Sequence, residues 1–309
     1  MRVVFMGTPE FSVPTLETLI ASEHEVVAVV TQPDKPKGRG KAVLYTPVKE
    51  KALEYNIPVY QPVKVKSEEF VEVLRELNPD VIVVVAFGQI LSKEILDLPK
   101  YGCMNVHASL LPKLRGAAPI QWAVIDGEEK SGVTIMQMDI GLDTGDMLLK
   151  EEIVLDEKET GGSLHDKLTG MGGPLILEAL KQAKDGTLVR EKQNDAQSNY
   201  AKMLNKSLGK IDFSKSAKEI ERLIRGLNPW PSAYTSLNGK TLKIWEAGIL
   251  EKEFDGEVGE IVEVTKDAFV VKTGEHALLI YELQLEGKKR MDTGAFLRGY
   301  EVTVGTKLQ

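Results

Sequence analysis

In the first half of the chain, short apolar runs alternate with stretches of helical period. "RVVFMG" (2–7), "EVVAVVTQ" (25–32) and "DVIVVVAFG" (80–88) are rich in Val and close on glycine or a polar residue, which predicts buried strands. "GCMNVHAS" (102–109) and "GVTIMQMD" (132–139) predict two more. Between these runs, "PEFSVPTLETLIAS" (9–22) and "SEEFVEVLRELN" (67–78) space their apolar residues as helices do. "TPVKEKALEYN" (46–56) reads as a helix opened by Thr46 with Pro47 at its first position, and "GAAPIQWAVIDG" (116–127) as another. Such alternation predicts an α/β fold: a doubly wound, Rossmann-like, mostly parallel sheet. Ligands of these sheets bind at the carboxyl ends of the strands.

The pattern changes near residue 190. "QNDAQSNYAKMLNKSLGKIDFS" is polar and weakly periodic, and reads as a surface linker. One helix follows at about 216–227, stopped by Gly and then by Pro-Trp-Pro; Trp230 in that turn is expected to be a packing anchor. From Ser232 onward short alternating strands recur, with an Asn-Gly hairpin signal in "LNGKT". They predict a small antiparallel barrel of the OB type. The expected domains are therefore 1–189, a linker at 190–207, and 208–309.

Composition narrows the class. No apolar run approaches the roughly 20 residues a membrane helix needs. The opening "MRVVFMGTPEF" has neither the h-region nor the cleavage site of a signal peptide. A single cysteine, Cys103, excludes an internal disulfide and a cysteine-built metal site, and predicts a reducing cytoplasm. Net charge is −7, yet residues 206–309 carry 16 Lys+Arg against 16 Asp+Glu, so the acid excess lies in the first two thirds. Gly7-Thr8-Pro9 closes the first strand without Gly-x-Gly-x-x-Gly, so no tightly bound dinucleotide is expected.

The chemistry gathers at "NVHASLLPKLRGAAPIQ" (105–121). Asn105 and His107 share one face of a strand by its period of two, at the strand's end. "DIGLDTGD" (139–146) follows the next strand and is expected to end at the same edge of the sheet. An asparagine amide can donate to a developing oxyanion, and a carboxylate can orient an imidazole. Asn, His and Asp together suit attack of a nucleophile on a carbonyl carbon. Ser109 lacks a Gly-x-Ser-x-Gly elbow, which argues against a serine hydrolase. No carboxylate–histidine spacing resembles a zinc motif, and no metal is expected. His24 and His276 fall in turn-like contexts and are expected to be solvated; His165, in a helix, is read as structural.

"NVHASLLPKLRGAAPIQWAV" followed by "GVTIMQMDIGLDTGDML" closely resembles the methionyl-tRNA formyltransferase family of folate-dependent formyltransferases. "VVFMGTPEFSVP", "VVTQPDKPKGRGK", "VVVAFGQIL" and "LNPWPSAY" match in the expected order, so the resemblance spans nearly the whole chain. It implies 10-formyltetrahydrofolate as formyl donor, released as tetrahydrofolate, and the α-amino group of methionine on initiator tRNA as acceptor. It implies Asn105, His107 and Asp143 as catalytic residues, and Ser109, Leu110, Leu111 and Pro112 as the folate-contacting stretch. Sequence spacing alone leaves Asp143 and Asp146 open. It also implies a tRNA role for the basic loop "DKPKGRGKA", with Lys35, Lys37, Arg39 and Lys41. Further candidate tRNA contacts are Lys206 and Lys210 in "MLNKSLGKIDF", which departs from the family's more charged version, and Lys288, Lys289 and Arg290 on the barrel. Neither a membrane nor an obligate protein partner is expected. Two rivals remain: a formyltransferase acting on an amino sugar nucleotide or small amine, which needs no basic loop, and a non-catalytic tRNA-binding protein, which has no use for the Asn-His-Asp set.

Overall fold

The computed structural model describes residues 1–37 and 42–309 and divides into two compact units. The first comprises residues 1–119, 130–154 and 165–201, the second residues 120–129, 155–164 and 202–309.

The first unit holds strands β1 (Arg2–Gly7), β2 (Glu25–Val30), β3 (Lys35–Lys37), β4 (Ala42–Leu44), β5 (Val59–Tyr60), β6 (Val81–Val85), β7 (Cys103–His107), β8 (Arg115–Gly116), β9 (Lys130–Gln137), β10 (Met147–Val154) and β11 (Tyr200–Ala201). Seven of them form one sheet in the order β10-β9-β7-β6-β1-β2-β5. The five strands from β5 to β7 run parallel. β9 enters antiparallel to β7, and β10 antiparallel to β9. The chain winds one way from β1 to β5 and the other way from β6 to β10, so strand order reverses at β1/β6, where doubly wound sheets open a crevice.

The apolar runs are buried as their composition requires. Val4, Met6, Ala28, Val30, Ile82 and Val84 form one sheet face, covered by Phe70, Val71 and Leu74 of the helix Glu68–Leu77. Each of these Val, Ile, Leu, Met and Phe side chains contributes about 1.5–3 kcal/mol when fully withdrawn from water. Thr46 caps the helix Pro47–Glu54 by accepting from the Lys49 N–H at 3.2 Å. The stretch expected to be a loop after β2 instead begins and ends as a hairpin, with Lys35 opposite Leu44 and Lys37 opposite Ala42. Arg39 and Lys41 lie outside the described residues. The expectation for His24 fails: it is buried, with Nδ1 3.3 Å from the N-terminal amino group. Burial and that neighbouring ammonium both lower its pKa.

The second unit carries β12 (Ala233–Leu237), β13 (Lys240–Leu250), β14 (Ile261–Val264), β15 (Phe269–Lys272), β16 (Ala277–Leu285) and β17 (Met291–Asp292). They pair antiparallel in the order β12-β13-β16-β15-β14, with β17 on β16. The helix Ala217–Gly226 starts with a capping box between Ser216 and Glu219 and buries Ile220 and Ile224 in the core. Residues 306–309 join the two open edges. Ser236 and Gln309 exchange backbone hydrogen bonds on one side, while Ile261 N–H donates to Thr306 and Leu308 N–H to Gly259 on the other, each at 2.8 Å. This closes the antiparallel sheet the sequence predicts. Trp230 is 56% exposed and is not the packing anchor expected of it.

Two outcomes follow. Leu308→Ala removes a buried plug from the closing segment and is expected to cost about 2–4 kcal/mol in urea unfolding. The Cys103 thiol is buried and pushed up to about 12 by that burial, so iodoacetamide at pH 8 is expected to label it only after denaturation; rapid native-state labelling would contradict this.

Candidate active site

β7 ends at His107, at the carboxyl edge of the parallel strands, and its pleat sends Asn105 and His107 to one face. Both are buried, at 9% and 6% exposure. Among the described residues the Asn105 amide meets no hydrogen-bond partner, so its donors are free. His107 Nε2 lies 3.0 Å from the Leu114 carbonyl. A carbonyl only accepts, so Nε2 carries a proton, and in the neutral tautomer the lone pair is on Nδ1. It faces Asp143 Oδ2 at 3.8 Å, beyond a hydrogen bond but within reach of a charge. Leu114 is held in turn, its N–H donating to Asn199 Oδ1 at 2.6 Å.

Asp143 arrives by an unexpected route. β9 runs antiparallel to β7, so its last residue, Gln137, pairs with Met104, while Thr134 pairs with His107. The loop 138–146 therefore leaves the sheet at the opposite edge from His107, not at the same edge as the sequence suggested. It must fold back to bring Asp143 to the imidazole. Asp139 Oδ1 ties the turn by accepting from Gly141 N–H at 3.0 Å and from Thr144 Oγ1 at 2.7 Å. Gly145 packs so closely that a Cβ there would lie 1.7 Å from the Gln137 carbonyl oxygen. Asp143 sits at φ +54°, the left-handed region, at a cost of about 1–2 kcal/mol. Its Oδ2 accepts from the Gly116 N–H at 2.8 Å. Asp146 takes part through its backbone, whose carbonyl accepts from Gln137 N–H at 2.8 Å and continues the β9–β10 ladder.

In the Ser109–Pro112 stretch, Ser109 and Leu111 are buried and build the turn. Ser109 Oγ donates its proton to the Lys113 carbonyl at 2.7 Å, so it does not donate to His107. Thr134 Oγ1 donates to Ser109 O at 2.7 Å and accepts from Leu111 N–H at 3.1 Å. Leu110 and Pro112 are the half-buried members. An apolar rim beside backbone polar groups suits a flat heterocycle. Among the described residues no His/Cys/Asp/Glu group could hold a metal ion.

The cationic candidates divide. At the base of the β3–β4 hairpin, Lys49 Nζ binds Asp34 Oδ2 at 2.5 Å and lies 3.9 Å over the Tyr45 ring, gripping both stems. This ion pair holds the Asp34 carboxyl below its ordinary range. In the second unit Lys206, Lys210, Lys288 and Lys289 are exposed. Register places Lys210 beside Tyr234, Tyr234 beside Lys243, and Lys243 beside Gln284, whose Nε2 donates to Lys288 O. Lys243 thus joins a basic row that sequence reading missed, because a lone lysine in an alternating strand gives no signal. Arg290 is already paired with Glu282 and lies 4.7 Å over the Trp245 ring.

Sequence reading also missed Arg115, Gln193 and Asn199. The last two come from the polar stretch after residue 190, in which β11 pairs parallel with β8.

Comparison with known proteins gives a consistent picture. Residues 1–180 match the formyl transferase family model, and 203–301 match the model of the formyl transferase C-terminal domain. Curated methionyl-tRNA formyltransferases are similar along their whole length: that of Agathobacter rectalis is 60% identical over 306 residues, covering 99% of each chain. That of Clostridioides difficile is 55% identical over 308 residues, covering 100% of each. Among solved structures, a sugar 3N-formyl transferase crystallised with dTDP and 5-N-formyl-THF has a TM-score of 0.68 at 21% identity, covering 94% of this chain and 99% of that one. HypX from Aquifex aeolicus in complex with tetrahydrofolic acid has a TM-score of 0.60 at 19% identity, covering 99% of this chain and 50% of that one. At these identities the two structures establish the shared fold.

The two aspartates of the loop are not equivalent. Asp143→Asn is expected to lower the rate by orders of magnitude with little change in melting temperature, because the amide keeps the shape but carries no charge. Asp146→Asn is expected to leave the rate within a few-fold of the parent. A folded but inactive Asp146→Asn beside an active Asp143→Asn would reverse the assignment.

Proposed function

The chain belongs to the methionyl-tRNA formyltransferase family, and from that premise we propose that it transfers the formyl group of 10-formyltetrahydrofolate to the α-amino group of methionine on initiator tRNA, for translation initiation. The observation that carries the chemistry is the His107 ring whose Nδ1 faces the Asp143 carboxylate at 3.8 Å, with Asn105 on the same strand face, its amide without a partner among the described residues. The acceptor rests on likeness to methionyl-tRNA formyltransferases along the whole chain. The single buried thiol suits a reducing cytoplasm.

The donor supplies an activated formyl carbon, and the amine is itself the nucleophile, so no covalent enzyme intermediate is needed. Asn105 donates to the formyl oxygen as negative charge develops there. His107 Nδ1 takes the proton that the attacking nitrogen sheds, and the imidazolium so formed is stabilised by Asp143. The same proton then passes to the departing folate nitrogen. His107 Nε2, committed to Leu114 O, holds the ring's orientation. Leu110 and Pro112 cover the donor's heterocycle, and the rest of the Ser109–Pro112 stretch shapes the turn that presents them.

For tRNA, the basic segment carrying Lys35, Lys37, Arg39 and Lys41 approaches the acceptor end, while Lys206, Lys210, Lys243, Lys288 and Lys289 meet backbone phosphates. Arg290 must exchange Glu282 for phosphate before it can contribute.

Formylation of methionyl initiator tRNA is expected, with no transfer to a nucleotide-linked amino sugar; the opposite preference would replace this reading with the sugar-directed one. Binding of tRNA without any transfer would leave only a tRNA-binding protein. Arg39→Ala is expected to raise KM for tRNA while KM for the donor holds, and to flatten the salt dependence of tRNA affinity by about one unit of slope.

A further inference from the structure

We infer that Gln193 is a positioning residue for the transfer reaction: its side-chain amide holds the returning loop in place and so holds Asp143 against His107. The inference rests on the reaction proposed above. Gln193 Nε2 donates to two backbone carbonyls of the loop, Asp143 O at 2.8 Å and Gly145 O at 2.7 Å. Its Oε1 accepts from Arg115 Nε at 2.9 Å, and Arg115 Nη2 binds Asp195 Oδ1 at 2.8 Å.

This arrangement leaves the amide no choice of orientation. Two carbonyls demand a donor on one side, and a guanidinium demands an acceptor on the other. Arg115 is buried at 9% exposure, so its own direction is fixed by packing. The loop needs such a tie for three reasons. It starts at the wrong edge of the sheet, it places Asp143 in the left-handed region, and its internal bonds from Asp139 do not reach residue 107. Gly116, which donates to the Asp143 carboxylate, directly follows Arg115, which orients the Gln193 amide that holds the Asp143 backbone. Gln193 touches no substrate in this scheme. It acts through Asp143.

The test is a double-mutant cycle on kcat, read by single-turnover formylation at high enzyme concentration. Gln193→Met keeps length and removes both donors. It is expected to lower kcat about 100-fold, as a displacement near 1 Å does, with both KM values within about twofold and an unchanged circular dichroism spectrum. In an Asp143→Ala background the same substitution is expected to change kcat less than about twofold, because the residue it positions is gone. Equal losses in both backgrounds, or a rise in KM at constant kcat, would overturn the inference. Should Gln193→Met fail to fold, Gln193→Glu carries the cycle: it keeps the Arg115 partner but turns an oxygen toward two carbonyls, and the same pattern is expected. An inactive parent on methionyl-tRNA counts against the proposed reaction; an active parent with a multiplicative cycle counts against Gln193 alone.

Discussion

One strand direction governs this site. Five parallel strands deliver their loops to one edge, where a ligand crevice opens, but β9 enters the sheet antiparallel and delivers its loop to the other edge. The carboxylate that faces His107 is on that loop. Its position therefore depends on what folds the loop back, not on the sheet. The backbone accommodates the return through a glycine that tolerates a carbonyl in contact and an aspartate in the left-handed region. Hydrogen bonds from Gly116 and Gln193 supply what those conformations cost. The histidine sits on a strand and the aspartate that faces it on a tethered loop, so the sheet sets one member of the pair and the tether sets the other.

Much of the fold is legible in the sequence because Val-rich runs between turn residues admit few readings. The capped helix at Thr46 and the antiparallel second unit are legible for similar reasons. Strand direction is not legible, since Lys130–Gln137 has the same composition as a parallel strand would. The inference that Asp143 meets His107 thus reaches the right neighbour by a wrong path. Gln193 is illegible for another reason: it lies in a polar stretch 50 residues beyond Asp143, and nothing in "QNDAQ" signals where its amide points. His24 and Trp230 fail in opposite directions. A histidine in a turn is buried by the chain start packing against it, and a tryptophan between prolines stays in water.

Charge in the sequence differs from charge on offer. Arg290 is spoken for by Glu282, and Lys49 by Asp34, so neither counts simply as a free cation. Lys243, unremarkable in the sequence, is brought into a row by strand register. For a chain whose net charge is −7, attraction of a polyanion depends on such local rows within a Debye length of about 8 Å at physiological salt.

The closing segment of the second unit bears on how the chain is made. Residues 306–309 lie between strands near Ser236 and Ile261, each separated from the segment by at least 45 positions along the chain. Until they emerge from the ribosome, both edges of the antiparallel sheet present unpaired N–H and C=O groups, a template for pairing with other nascent chains. Synthesis of this sheet thus passes through an intermediate with both edges open, and a chaperone that holds such edges apart protects it.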